Sequence, residues 1–324
     1  MPVIITANNN DAVHPFLQNL STYEAIRAER ALRQDIRPLE IAIVNLMADK
    51  RATEEQLAEW LGRTPLQVKL TFAATDGYID SIRSGREPSL TPSQHILDFY
   101  KPFREIQDRP FDGLLVTGVN ALQERVEQED IWPHVQRILD WSASHVFSSA
   151  FLCWGAKAAL KHFHNIDSIK GQQKIFGLFP HRLHSDSTGL LTGFPDEFPI
   201  PVSRWKTPRE DQIRQNPQLE IVAECPEVGS NILVESKHNT DGQIYPRRVY
   251  ILSHPEYATD ELQKEYRRDS AHNPDYPLPK HYFPHNDPAH ALTNSWRHTG
   301  HVYTNWVQSV YEATPFDLQN LLAS

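Results

Sequence analysis

The sequence predicts an α/β fold: a doubly wound, mostly parallel sheet with helices on both faces. Two features carry that expectation. Short apolar, β-prone runs alternate with helical stretches through the first half of the chain, the order that builds a parallel sheet through right-handed crossovers. The run at residues 145–152 is apolar enough for a strand buried on both faces, and after Cys153 it passes into Ala, Leu and Lys with no breaker beyond Gly155.

Taken in order, residues 1–37 are polar and irregular and read as an N-terminal arm laid over the domain, with one helical segment near 22–33. Residues 38–324 read as a single domain. Residues 39–47 form a first core strand, followed by a loop carrying Lys50, and residues 52–61 have helical spacing through Leu57, Trp60 and Leu61. Pro65 marks the start of a strand at 66–72. The Gly/Ser/Arg-rich residues 75–92 read as a loop able to cover a site, and 93–103 as a short helix. A third strand, 111–118, ends in a Gly turn. Ile131, Val135, Ile138, Leu139 and Trp141 then recur at helical intervals over 131–144. Beyond the helix that follows Cys153, prolines and glycines break the pattern into an inserted excursion of short strands, about 170–245, in which 219–224 and 231–236 read as a hairpin pair. A core strand at 248–254, an amphipathic helix at 258–270, a proline- and histidine-rich extension and a last helix at 302–313 complete the chain.

Composition excludes several classes. The net charge of −9 argues against a non-specific nucleic-acid or anionic-membrane binder, and no basic aromatic patch points to nucleic acid. No apolar run approaches the ~18 residues of a membrane span, and the first residues lack the basic and apolar regions of a leader peptide. With only Cys153 and Cys225 there is no disulfide framework and no cysteine-based zinc site, so a reduced, cytoplasmic protein is expected. His281, His285, Asp287 and His290 have metal-ligand composition. Their prolines make a loop and not a two-histidine helical face, so no metal is expected. Thr117-Gly118 lacks the glycine repeat of a phosphate cradle.

The chemistry gathers at two strand ends. A cysteine at a sharp strand-to-helix turn meets unpaired N–H groups and the positive end of the helix dipole, which lower a thiol pKa and offer a donor to an oxyanion. Alone, Cys153 reads more readily as a buried, inert thiol. The strand at 248–254 ends in Ser253-His254-Pro255-Glu256-Tyr257, on the sheet edge where α/β sites are built. His254 can act as base toward a thiol, and Glu256, two residues on, can hold the imidazole in the useful tautomer.

The motifs Val44-Asn-Leu-Met47, Phe111-Asp-Gly-Leu-Leu-Val-Thr-Gly118, Leu152-Cys-Trp154, His254-Pro-Glu-Tyr257, Tyr282-Phe-Pro-His-Asn-Asp-Pro288, Ser295-Trp-Arg297 and Thr304-Asn-Trp306 resemble the homoserine O-acyltransferase family through nearly the whole chain. The resemblance implies a flavodoxin-like, class I glutamine-amidotransferase-like fold and a Cys153–His254–Glu256 triad. It implies a ping-pong reaction in which Cys153 takes the acyl group of an acyl-CoA and His254 then activates the amino-acid hydroxyl. It places Lys50, Trp154, Lys174, Ser203 and Arg268 around the substrates, the Trp154 N–H facing the oxyanion. It also implies a homodimer working on small molecules, with no permanent cofactor.

The chain departs from the family pattern at several places. Val119-Asn-Ala-Leu122-Gln-Glu-Arg125 replaces the usual loop after Gly118, Lys157 stands where Gln is usual, Ser253 where Gly is usual, and Pro180 where Glu is frequent. Leu122 falls at the position associated with donor choice. A leucine that fills the acyl pocket suits acetyl better than a succinyl carboxylate, unless Arg125 reaches back to pair with it. The expectation is acyl transfer to L-homoserine with acetyl-CoA favoured over succinyl-CoA. L-serine or another small hydroxy amino acid is the alternative acceptor, and a glutaminase-type amidohydrolase the alternative class.

Overall fold

The computed structural model describes residues 37–321 apart from 89, 272 and 274, together with Val3–Ile5 and Ala25–Ile26. Its strands are β1 (Val3–Ile5), β2 (Ala25–Ile26), β3 (Leu39–Val44), β4 (Val68–Ala74), β5 (Lys101–Pro102), β6 (Phe111–Val116), β7 (Val146–Leu152), β8 (Ser168–Leu183), β9 (Glu197–Pro208), β10 (Glu220–Cys225), β11 (Gly229–His238) and β12 (Ile244–Ile251). They form one sheet in the order β2-β1-β4-β3-β6-β7-β12-β11-β10-β8-β9, with β5 on β4. From β2 to β12 neighbours run parallel. From β12 outward to β9 they run antiparallel.

Alternation along the central strands sends side chains to two cores. Ile41 and Ile43 of β3 and Phe72 of β4 face a cluster with Trp60, Ile79, Tyr303 and Trp306, supplied by the helices Lys50–Leu61, Asp76–Arg83 and His301–Ala313. Ala42 and Val44 face a second cluster with Phe111, Phe151, Trp154 and Tyr250, covered by Trp132–His145 and Trp154–His164. Helices therefore lie on both faces, as the doubly wound reading requires. Among the described residues no helix is long and apolar enough to cross a membrane.

Three local expectations need correction. Residues 75–92 are not all loop, because Asp76–Arg83 is a helix whose Ile79 and Ile82, three apart, are buried. The excursion beyond residue 168 consists of long strands, β8 with 16 residues and β9 with 12. Pro199 and Pro201 sit two apart on the edge strand β9, so their missing N–H groups fall on one side and the ladder to β8 survives. In the N-terminal stretch, β1 pairs with β4 and β2 with β1, so these pieces extend the sheet. Ala25–Ile26 is a strand inside the span expected to be helical, and the rest of that span lies outside the described residues.

Candidate active site

β7 and β12 are adjacent and parallel, with Leu152 opposite Ile251. The residues that follow each strand therefore emerge side by side at the carboxyl edge. Cys153 is the first residue past β7 and adopts φ 50°, ψ −109°, a left-handed conformation that a non-glycine residue enters only when the surroundings hold it. Its own N–H donates to Ile251 O at 2.7 Å. Space at the elbow comes from two glycines. A Cβ at Gly155 would lie 2.7 Å from the carbonyl oxygens of Val116 and Thr117, and one at Gly118 would lie 3.2 Å from the Cβ of Cys153. Any larger residue at 155 would force the helix Trp154–His164 off the sheet.

His254 leaves the end of β12, and its N–H donates to Pro201 O of β9 at 2.9 Å. Its Nδ1 lies 2.7 Å from Glu256 Oε1, which leaves Nε2 for the thiol. The Tyr257 ring stacks on the imidazole with centroids 4.2 Å apart. The other carboxylate oxygen of Glu256 accepts from the Tyr303 hydroxyl at 2.7 Å. Both His254 and Glu256 are buried.

The electrostatics match a thiolate–imidazolium pair. Burial alone pushes the Cys153 thiol up, but the charges of Lys157 and His254 outweigh it and hold the thiol at about 6. Burial alone would lower His254. The thiolate and Glu256 overcome that and raise it well above its ordinary value. Two buried cations stand close by. Lys157 Nζ reaches Lys206 O at 3.5 Å, and Arg204 donates to Leu252 O at 3.1 Å and to Val228 O at 2.5 Å.

Beside the triad lies a polar cluster centred on Glu265. One of its oxygens accepts from Ser203 Oγ at 2.6 Å and from Lys174 Nζ at 2.9 Å, and the other accepts from the Tyr257 hydroxyl at 2.8 Å. Burial raises the Glu265 carboxyl, but Lys174 and Ser203 bring it below its ordinary range. Lys174 also lies 3.2 Å from Asp269. Lys174 and Ser203, predicted from sequence, thus meet on Glu265, which Tyr257 links to His254. Arg268 stands at the rim, exposed, bonded to Asp269 at 2.8 Å and 3.9 Å from Glu265.

The remaining expected residues fall less neatly. Lys50 is buried at the same sheet edge but donates to Asn45 O at 2.8 Å and Met47 O at 3.1 Å, with Tyr78 and Tyr100 flanking it. Burial lowers it to about 8, against the opposing pull of Glu54. The Trp154 ring is a core aromatic and does not line the site. Leu122 was expected to wall the acyl pocket; its side chain is instead 77% exposed, because the loop after β6 carries it outward. Arg125 turns to Glu127, with 3.0 Å between charged atoms, and not back toward Cys153. The sequence reading missed Glu265, Tyr303, Arg204 and the electrostatic part of Lys157. A carboxylate one turn before Arg268 was the available signal for Glu265.

Comparison with known proteins identifies the family. The family model described as homoserine O-succinyltransferase matches residues 2–316. A homoserine O-acetyltransferase of Rhizobium leguminosarum bv. trifolii is 40% identical over 90% of each chain. One from a Chelativorans species is 41% identical over 90% of this chain and 88% of its own. A glutamine amidotransferase structure from Methylobacillus flagellatus aligns with TM-score 0.49 at 12% identity, covering 85% of this chain and 96% of that one. The chain is an acyltransferase and belongs to the homoserine O-succinyltransferase family.

Proposed function

We propose that the enzyme transfers an acyl group from acyl-CoA to the hydroxyl of L-homoserine through a thioester on Cys153, in a ping-pong sequence, with acetyl-CoA preferred over succinyl-CoA. The observation that carries this reading is a low-pKa thiol and a carboxylate-held imidazole on adjacent strand ends.

The Cys153 sulfur attacks the thioester carbonyl and a new S–C bond forms. The oxyanion is met by the first N–H of the helix Trp154–His164, which has no partner within the helix. The C–S bond to CoA breaks, and the His254 imidazolium protonates the departing thiolate. His254, now neutral, removes the proton of the acceptor hydroxyl as its oxygen attacks the acyl-enzyme, and Cys153 leaves as thiolate. Glu256 keeps the imidazole oriented through both half-reactions. For the acceptor, the carboxylate of Glu265 suits the α-ammonium of an amino acid and Lys174 or Arg268 suits its carboxylate. The names of the relatives favour acetyl-CoA as donor.

Mixing enzyme with acetyl-CoA alone should release one equivalent of CoA thiol and add one acetyl group to the protein mass. Cys153→Ala should do neither. Turnover by the alanine variant would sink the covalent route. Steady-state kcat/KM for the two donors, with homoserine and serine as acceptors, then fixes the substrate pair, and a larger value for succinyl-CoA would overturn the acetyl preference.

A further inference from the structure

Lys157 is buried one helical turn beyond Cys153, its N–H donating to Cys153 O at 3.2 Å. Residues four apart share a helix face and helical side chains lean toward the N-terminus, so the side chain lies on the face that carries Cys153, with its Nζ 3.5 Å from Lys206 O. Among the described residues no carboxylate lies within ion-pair distance of it. Its charged neighbours are Cys153, Arg204 and Lys206, and only the thiol can be its counter-ion. Lys206 differs, since it lies 3.7 Å from Glu129 and donates to Gln123 O.

Charge balance gives this lysine a purpose. A thiolate, an imidazolium and the Glu256 carboxylate sum to one uncompensated negative charge in a buried site, and burying such a charge is costly. The ammonium offsets that charge from the helix that Cys153 starts, while Arg204, the other buried cation nearby, is committed to Leu252 O and Val228 O. The resemblance places glutamine at this position in relatives, and glutamine cannot supply that charge.

We infer that Lys157 is a positioning residue that keeps Cys153 ionised in the resting enzyme, alongside His254. The inference rests on Cys153 being the nucleophile, but the ionisation is measured without any substrate, so it fails separately from the acyl-transfer reading.

The ultraviolet thiolate band of the full-length enzyme, titrated against pH and corrected with Cys153→Ser, gives the midpoint directly. The parent should titrate at about 6. Lys157→Met keeps the length of the side chain and packs without a charge, so it leaves a folded protein to titrate. Its midpoint should rise by about 1–3 pH units, the effect of removing one close opposite charge. Iodoacetamide alkylation below neutral pH should slow in proportion. Lys157→Arg, which restores the charge, should bring the midpoint back toward the parent. A Lys157→Met enzyme with the parent's midpoint would overturn the assignment. So would one that keeps the midpoint and changes only the ratio of donors, which would make Lys157 a donor-binding residue.

Discussion

The Tyr303 hydroxyl donates to Glu256 Oε2 at 2.7 Å, while Glu256 Oε1 faces His254 Nδ1 at the same distance. The carboxylate is held at both oxygens, one by the base it orients and one by a helix from the far end of the chain.

Tyr303→Phe should therefore loosen Glu256 without touching substrate. A hydrogen bond to a charged group contributes about 1.5–3 kcal/mol, so kcat should fall by roughly 10- to 100-fold with KM for both substrates little changed. A change confined to KM would show that the tyrosine serves binding.

Glu265→Gln removes the anion that Lys174 and Ser203 share. With the cluster in its proposed acceptor-binding role, acyl-enzyme formation should persist. Its transfer to homoserine should drop at least ~10-fold in kcat/KM, as expected for losing a buried charge-assisted pair. Rapid mixing separates the two steps, and a lost acylation burst would place Glu265 in the first half-reaction.

The pH profile follows from the signs of the two shifts. Cys153 is held at about 6, so acylation should fall as pH drops through that value and the thiol regains its proton. His254 is raised well above its ordinary value, so the imidazolium that protonates the leaving CoA persists through neutrality and is lost only at higher pH. In single-turnover acylation the acid limb should vanish for an alternative nucleophile without a titrating thiol. A limb unchanged in Cys153→Ser would assign it elsewhere.

Leu122→Gly should leave the acetyl-to-succinyl ratio of kcat/KM within about twofold, since an exposed side chain on the outer loop contributes little to a distinction of one pocket group. A ratio that moves tenfold would bring that loop into contact with the donor.

Much of this site was legible in the sequence, and the reason is local. An apolar strand that ends in a cysteine and starts a helix announces its own turn, and His254-x-Glu256 needs only an extended chain to work as a pair. Tyr303 was illegible because its partner is 47 residues away and the meeting depends on how the last helix packs across the sheet. Glu265 looked like one more charge on an amphipathic helix, and only burial distinguishes it. Leu122 failed for the opposite reason. Its place in a family pattern gave a role that a remodelled loop no longer presents. The helix Asp76–Arg83 was hidden by composition, two buried isoleucines being a faint signal among glycine, serine and arginine.

The sheet changes from parallel to antiparallel at β12, and the nucleophile sits on one side of that seam while Lys174 and Ser203 sit on the other, on β8 and β9. On the proposed mechanism each half-reaction then draws mainly on its own stretch of polypeptide, with His254 serving both. On that reading, exchanging residues 168–238 together with the helix Glu261–Ser270 between relatives should graft one enzyme's choice of acceptor onto another's acylation chemistry, so that the two substrate preferences can be engineered one at a time.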